Sequence, residues 1–293
     1  MMPLMVSAQA LPFVSADRSA ASLAKAGADA TETSSTAFSA FGNIAAVPYS
    51  EKTGDFAAGY TLWQPSSASQ NFLAVGGSYN LNGKAGFAAG FTYGMYPGYE
   101  IFSDSGSSKG RFNPSDLQIS AGFAYRVLPF LSLGVNVGYA SSTLAQGISY
   151  GAFTTDVFLM SKFKDFMLAL GVSDLGSSVA SSSGTKYRLP SAMTIGLGYT
   201  RSFAQHHRVD VSADADYYFT NDFAAAFGAG YTFHDIVGVK AGYRYGGKSV
   251  VPSYASLGLC GKLLGVTLDI AYVIPSGDSP MSNTIAVSAG YTF

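Results

Sequence analysis

Apolar and polar residues alternate one for one along most of this chain. In NTIAVSAGYTF, residues 283–293, the odd positions Ile285, Val287, Ala289, Tyr291 and Phe293 are apolar. The positions between them are small or polar: Thr284, Ala286, Ser288, Gly290 and Thr292. A period of two marks an extended strand with two unlike faces. From Gly54 onward the pattern recurs in fourteen segments. They fall near 54–63, 71–80, 85–95, 115–126, 130–141, 150–161, 165–174, 190–201, 207–219, 223–233, 236–246, 253–262, 264–274 and 283–293. Each is about the 9–11 residues that a tilted strand needs to cross hydrocarbon, or slightly longer. The pattern predicts an all-β fold, a 14-stranded antiparallel transmembrane β-barrel with a short N-terminal, partly helical plug segment.

The two faces separate by charge. In 264–274, Val266, Leu268, Ile270 and Tyr272 oppose Thr267, Asp269 and Ala271. In 207–219, Val209, Val211, Ala213 and Tyr217 oppose Arg208, Asp210, Ser212, Asp214 and Asp216. A charge facing lipid at mid-bilayer costs up to about 2–4 kcal/mol, so the charged face belongs to the lumen. Tyrosines such as Tyr60, Tyr93, Tyr125, Tyr139, Tyr199, Tyr217, Tyr231 and Tyr291 gather near strand ends, where aromatic girdles sit.

The connections alternate in length with the same phase. LNGK, VLPF, SKFKD, SFAQHH, HD and KL are tight. QPSSASQ, PGYEIFSDSGSSKGRFNPS, STLAQGIS, DLGSSVASSSGTKYR, GGKSVVPS and PSGDSPMSN are longer, and only TND breaks the rule. Short periplasmic turns and long external loops are the outer-membrane arrangement, and an even strand count puts both ends on the periplasmic side. A closing strand must pair with the first, so 283–293 is expected to seal the barrel. Tyr291 and Phe293 are expected to form a C-terminal signal for insertion.

Composition agrees with that picture. Hydrophobic residues make up 48% of the 293, and charged residues only 12%, against a usual charged share of about 25%. No run approaches the roughly 18 apolar residues of a membrane helix. A net charge of −1 speaks against a nucleic-acid partner. The single cysteine, Cys260, excludes an internal disulfide and a cysteine zinc cage.

The region before Gly54 differs. Residues 1–10 read as a signal-peptide remnant, with Ala8-Gln9-Ala10 as a small-x-small cleavage site. Residues 11–53 form the plug or hatch, and 54–293 the barrel. The stretch 15–48 is rich in Ala and Ser, and Ser15 or Asp17 is placed to cap a helix near Arg18–Ala28. Phe38, Phe41 and Ile44 would need cover inside the lumen.

Candidate chemistry is sparse. The inward face of 223–233 carries only Ala224, Ala226, Gly228, Gly230 and Thr232. Asp210, Asp214 and Asp216 lie one strand before it, and Lys240 and Arg244 one strand after. Strands about 4.8 Å apart let such side chains meet over small neighbours, as a structural ladder or a polar path. Gly147-Ile148-Ser149-Tyr150-Gly151 matches a nucleophile-elbow pattern, but a loop entering a strand is the wrong setting. His206, His207 and His234 all fall in short turns. No catalytic residue, metal or cofactor is expected.

Fourteen strands after an Ala/Gly-rich plug resemble the FadL superfamily of outer-membrane proteins, and more narrowly its short PorV/PorQ-like branch. The residues carrying the likeness are Ala26-Gly27-Ala28-Asp29-Ala30 and Phe38-Ser39-Ala40-Phe41-Gly42-Asn43-Ile44-Ala45-Ala46. Asn43 and Ala45 fit the family's aromatic–Asn–Pro–Ala element, and Ile44 stands at its Pro. The PorV/PorQ resemblance implies a non-enzymatic accessory or shuttle subunit of an envelope secretion or assembly complex. The FadL resemblance implies the alternative, a passive channel for hydrophobic small molecules. Either implies the outer membrane of a Gram-negative bacterium. The expected partners are then outer-membrane lipids, the barrel-insertion machinery and, in the first case, other subunits of the complex.

Overall fold

A computed structural model describes residues 10–64, 69–104, 106–180, 186–204, 206–246, 252–276 and 281–293. The signal-remnant reading of 1–10 therefore lies, except for Ala10, outside the described residues.

Fourteen strands close into one antiparallel barrel in sequence order. They are β1 Gly54–Trp63, β2 Gln70–Leu81, β3 Ala85–Met95, β4 Ser115–Leu128, β5 Leu131–Ala145, β6 Ile148–Phe163 and β7 Phe166–Gly176. The second half is β8 Ala192–Phe203, β9 His207–Tyr218, β10 Asp222–Phe233, β11 Val237–Tyr245, β12 Tyr254–Leu263, β13 Val266–Pro275 and β14 Ile285–Thr292. The seam pairs β1 with β14, from Asp55↔Thr292 to Leu62↔Ile285. Closure leaves no unpaired edge, which a bilayer requires.

Side-chain direction follows the period of two. Phe56, Val75, Phe91, Ile119, Val137, Leu159, Leu197, Phe227, Leu257 and Val287 all point outward and are exposed. An apolar surface this continuous suits lipid and not water. Short turns use left-handed positions where the sequence supplies them, as at Asn82 (φ 52°) and Gly83 (φ 66°) between β2 and β3.

Two loops are more ordered than expected. STLAQGIS, read as an external loop, mostly continues β5 and β6, which meet at Gln146-Gly147. Its Ser and Thr residues accept a ladder, with Thr143 opposite Ser149, and only Gly147 (φ 75°) supplies a turn. The long 96–114 connection folds back as a ribbon of Tyr99–Phe102 against Ser108–Phe112.

Residues 10–53 run inside the barrel, from the long-loop end down to the short-turn end. The chain starts with Ala10 N–H donating to Arg188 O (2.9 Å) and reaches Pro48, whose carbonyl lies by the β2–β3 turn at Gly83. Its helix, α1, is short: Ala20–Ala24, with Ser19 as its cap and not Ser15 or Asp17. The helix stops at Ala24, four residues short of Ala28, and the left-handed pair Ala26 (φ 56°) and Gly27 (φ 77°) turns the chain away. Asp17 instead accepts a hydrogen bond from Ser22 Oγ (2.8 Å).

Candidate functional site: a cavity between the inner segment and the barrel wall

The small inward residues of the wall hold the inner segment by its backbone. Ser256 Oγ donates to Ala24 O (3.0 Å), Ser212 Oγ to Ala28 O (2.7 Å) and Ser132 Oγ to Ala45 O (2.6 Å). Asn136 Nδ2 donates to Gly42 O (2.7 Å). Asp55 Oδ2 accepts from Thr36 N–H (2.6 Å) and Ala37 N–H (3.1 Å). These bonds satisfy peptide groups that a non-repetitive segment would otherwise bury unpaired. Glycine lets the backbones touch. A Cβ at Gly242 would collide with the Lys25 carbonyl, and one at Gly134 would lie 2.7 Å from Ala45 N.

The sequence-selected inner residues divide in two. Ile44 is fully buried, and Asn43 Oδ1 caps the turn Ile44–Tyr49 by accepting from Ala45 N–H (2.9 Å). Asn43 Nδ2 also donates to Ala30 O (2.7 Å), tying two parts of the segment together. Phe38 and Phe41 are only half-buried. Phe41 lies against Gly90 of the wall and under the Arg18 guanidinium, 5.2 Å from the ring centre. Both residues also line a cavity.

The expected charge ladder is rearranged by this segment. Arg244 reaches Asp216 (2.8 Å) across β10, as strand spacing allows. Lys240 turns the other way and pairs with Asp269 of β13 (3.0 Å). Asp210 instead meets Lys25 (3.4 Å), which also binds Glu32 (2.6 Å). Asp214 accepts from Ala30 N–H (2.8 Å). Lumen carboxylates face the inner segment as well as their own wall, so strand neighbours alone do not fix their partners.

Breaking the Arg244–Asp216 pair should destabilise the fold, since both side chains are largely buried. Removing one member of a buried pair costs about 3–5 kcal/mol. Arg244→Met is expected to lower the melting temperature in detergent clearly. Adding Asp216→Asn should recover much of the loss, and a single variant that melts like the wild type would contradict the assignment.

Between the segment and the wall lies a cavity of about 420 Å³. It opens where strands lead into the long loops. Phe13, Phe38, Phe41, Trp63, Phe72 and Tyr96 supply an aromatic lining, and Asp17, Asp29, Asp174, Asp214 and Asp216 supply carboxylates. Arg18 is buried there, with one guanidinium nitrogen donating to Gln118 Oε1 (2.5 Å) and to Phe13 O (3.2 Å). On the inner segment, burial raises the Asp17 carboxyl above its usual range. Enclosure in the barrel raises Asp29 to about 6, with the Asp17 charge adding to the effect. Sequence reading missed this cavity because its lining comes from many strands. The visible signal was large aromatics, Trp63 and Phe72, at inward positions otherwise small.

A second cavity, about 500 Å³, lies at the short-turn end beside Lys162, Arg201 and Arg208. Glu32 borders the first cavity and adjacent Thr33 borders the second.

The remaining candidates sit elsewhere. His206 and His234 stack at 3.8 Å in neighbouring short turns, and His207 Nδ1 bonds Tyr231 OH (2.7 Å). Among the described residues no cluster of three or more His, Cys, Asp or Glu is arranged to hold a metal ion. Ser149 lies within a hairpin, bonded to Thr143 (2.9 Å), with strand and not helix after it. Cys260 points inward on β12. Tyr291 and Phe293 face outward at the seam.

No family model matches the sequence, and no curated protein matches it. Solved structures do match the fold. The Pseudomonas putida toluene transporter TodX has a TM-score of 0.65 at 13% identity, over 93% of this chain and 97% of that one. The Ralstonia pickettii toluene transporter TbuX matches with a TM-score of 0.62 at 12% identity, over 93% and 97%. A Pseudomonas aeruginosa FadL homologue gives 0.56 at 12%, over 94% and 98%. These agree with the wider FadL resemblance, and nothing in them speaks for the narrower PorV/PorQ-like branch. This chain is a closed fourteen-stranded β-barrel with the fold shared by these two toluene transporters and the FadL homologue.

Proposed function

We propose that this protein is a non-enzymatic outer-membrane channel for small, largely apolar molecules. The observation that carries this reading is the aromatic-lined cavity of about 420 Å³ at the external end. An apolar cavity of about 150 Å³ already accommodates benzene, so a one-ring molecule fits with room to turn. The neighbours described as toluene transporters support the same class of cargo. The alternative implied by the sequence resemblance, an accessory subunit of a secretion complex, has no comparable observation in its favour.

The only tryptophan, Trp63, borders the cavity and reports on it directly. Ethylbenzene added to the detergent-solubilised protein should change Trp63 fluorescence saturably. Cells expressing the protein should take up labelled ethylbenzene faster than cells carrying an empty vector. No saturable signal together with no faster uptake would overturn the reading.

A further inference from the structure

On β6, β7 and β8 a single row of the wall separates the two cavities. Inward residues stand there in registered rows: Phe158, Gly171 and Thr194, then Met160, Ala169 and Gly196, then Lys162, Met167 and Gly198. Phe158 and Thr194 line the external cavity, and Lys162 and Met167 line the one at the short-turn end. Rows two residues apart along a strand are about 7 Å apart, so only the middle row stands between the cavities on this face. Its three residues line neither cavity, and Met160 and Ala169 are fully buried.

Met160 is the one large side chain of that row. The inner segment presents small residues to it: a Cβ at Gly196 would lie 2.7 Å from Ala30 Cβ, and Ala45 and Ala46 cluster with Phe158, Met160 and Met167. A flexible thioether therefore fills the gap. Asn43 Nδ2 of the segment donates to Met160 Sδ (3.7 Å), and sulfur is a weak acceptor. The Met160 backbone is held more firmly, its carbonyl accepting from Ser132 Oγ (3.4 Å) and Tyr49 OH (3.4 Å). Methionine is unbranched, with three rotatable bonds, so this side chain can swing aside while strand and segment stay in place.

We propose that Met160 is the gate of the channel. Cargo crosses from the external cavity to the short-turn cavity along β6–β8, past Phe158, Met160 and Met167, without withdrawal of the inner segment. The bulk of residue 160 then sets the rate of passage. This inference rests on the channel reading and adds the route and the residue that limits it.

Uptake of labelled ethylbenzene by cells producing the full-length protein tests the gate, with Trp63 fluorescence in detergent reporting on the external cavity. Met160→Ala should raise uptake severalfold, and Met160→Phe, with its bulkier ring, should lower it severalfold. Saturation of the Trp63 signal by ethylbenzene should stay unchanged in both, because Met160 does not line that cavity. Val47→Ala is the control. Val47 is as deeply buried and packs on Gly86 of β3, so truncating it loosens the segment away from the route. Its uptake should match the wild type. A heat-shifted band on unboiled gels confirms that each variant is a folded barrel, and if one Met160 variant does not fold, the other decides. Uptake untouched by the Met160 substitutions, raised as much by Val47→Ala, or changed only in step with Trp63 saturation would overturn the gate while leaving the channel. No uptake above the empty vector, together with no saturable Trp63 signal, would overturn both.

Discussion

Removing residues 15–48 is expected to turn a poorly conducting protein into one with large, steady conductance in planar bilayers. Barrels of about eight strands are filled by their own side chains, whereas those of about 16–18 strands leave an aqueous channel. Fourteen strands lined by Gly, Ala and Ser fall nearer the second case. What fills this lumen is the inner segment. Leu23, Ile44 and Val47 are wholly buried, each contributing about 1.5–3 kcal/mol, and serines from four strands bind its carbonyls. The two cavities meet it from opposite ends, with Glu32 on one side and Thr33 on the other. Deleting it joins them. The strand ladder closes without the segment, so the deletion variant should keep its heat-shifted migration. Equal conductance before and after deletion would mean that the segment does not close the pore.

The strands were legible because lipid enforces the pattern. A barrel wall has one neighbour on each face, hydrocarbon outside and polar groups inside, so alternation survives even in Gly-rich segments such as β10 and β11. Turns were legible where a residue pair demanded them, as at Asn82-Gly83. Where only Ser and Thr marked a loop, as at 141–149, the strands ran on, because those side chains also suit a ladder.

The interior was less legible, for a physical reason. Period two says which face a residue occupies, and not what stands opposite across the lumen. Asp210, Asp214, Asp216, Lys240 and Arg244 were all placed inward by the sequence. Their partners depend on Lys25, Ala30 and Asp269, and the first two lie on a segment with no period to read. Inward serines on four strands bind the backbone of that segment, a role that their place on the inner face does not announce. The cavity arises where the segment fails to fill the wall, and that mismatch cannot be read from either sequence alone.

Phe293→Asp is expected to reduce the amount of folded barrel in the membrane severalfold, while Phe293→Tyr should be tolerated. The backbone of Phe293 completes the seam: its N–H donates to Gly54 O (3.0 Å), and its carbonyl accepts from Thr53 N–H (2.8 Å) and Gly54 N–H (3.0 Å). The ring stacks on Phe56 at 6.1 Å and covers Gly54, where any side chain would collide with it. Substitution leaves the backbone bonds and removes the ring. The charge itself costs little there, because the site is at the short-turn end, where even a lipid-facing charge costs about 0–1 kcal/mol. A large loss in cells would therefore arise in assembly, through recognition of the aromatic end, and not in the finished barrel. Purified Phe293→Asp refolded in detergent should then migrate and melt close to the wild type, although its abundance in cells is low. Normal abundance in cells would show that the ring has no part in insertion, and a refolded variant that melts far lower would place its role in the seam.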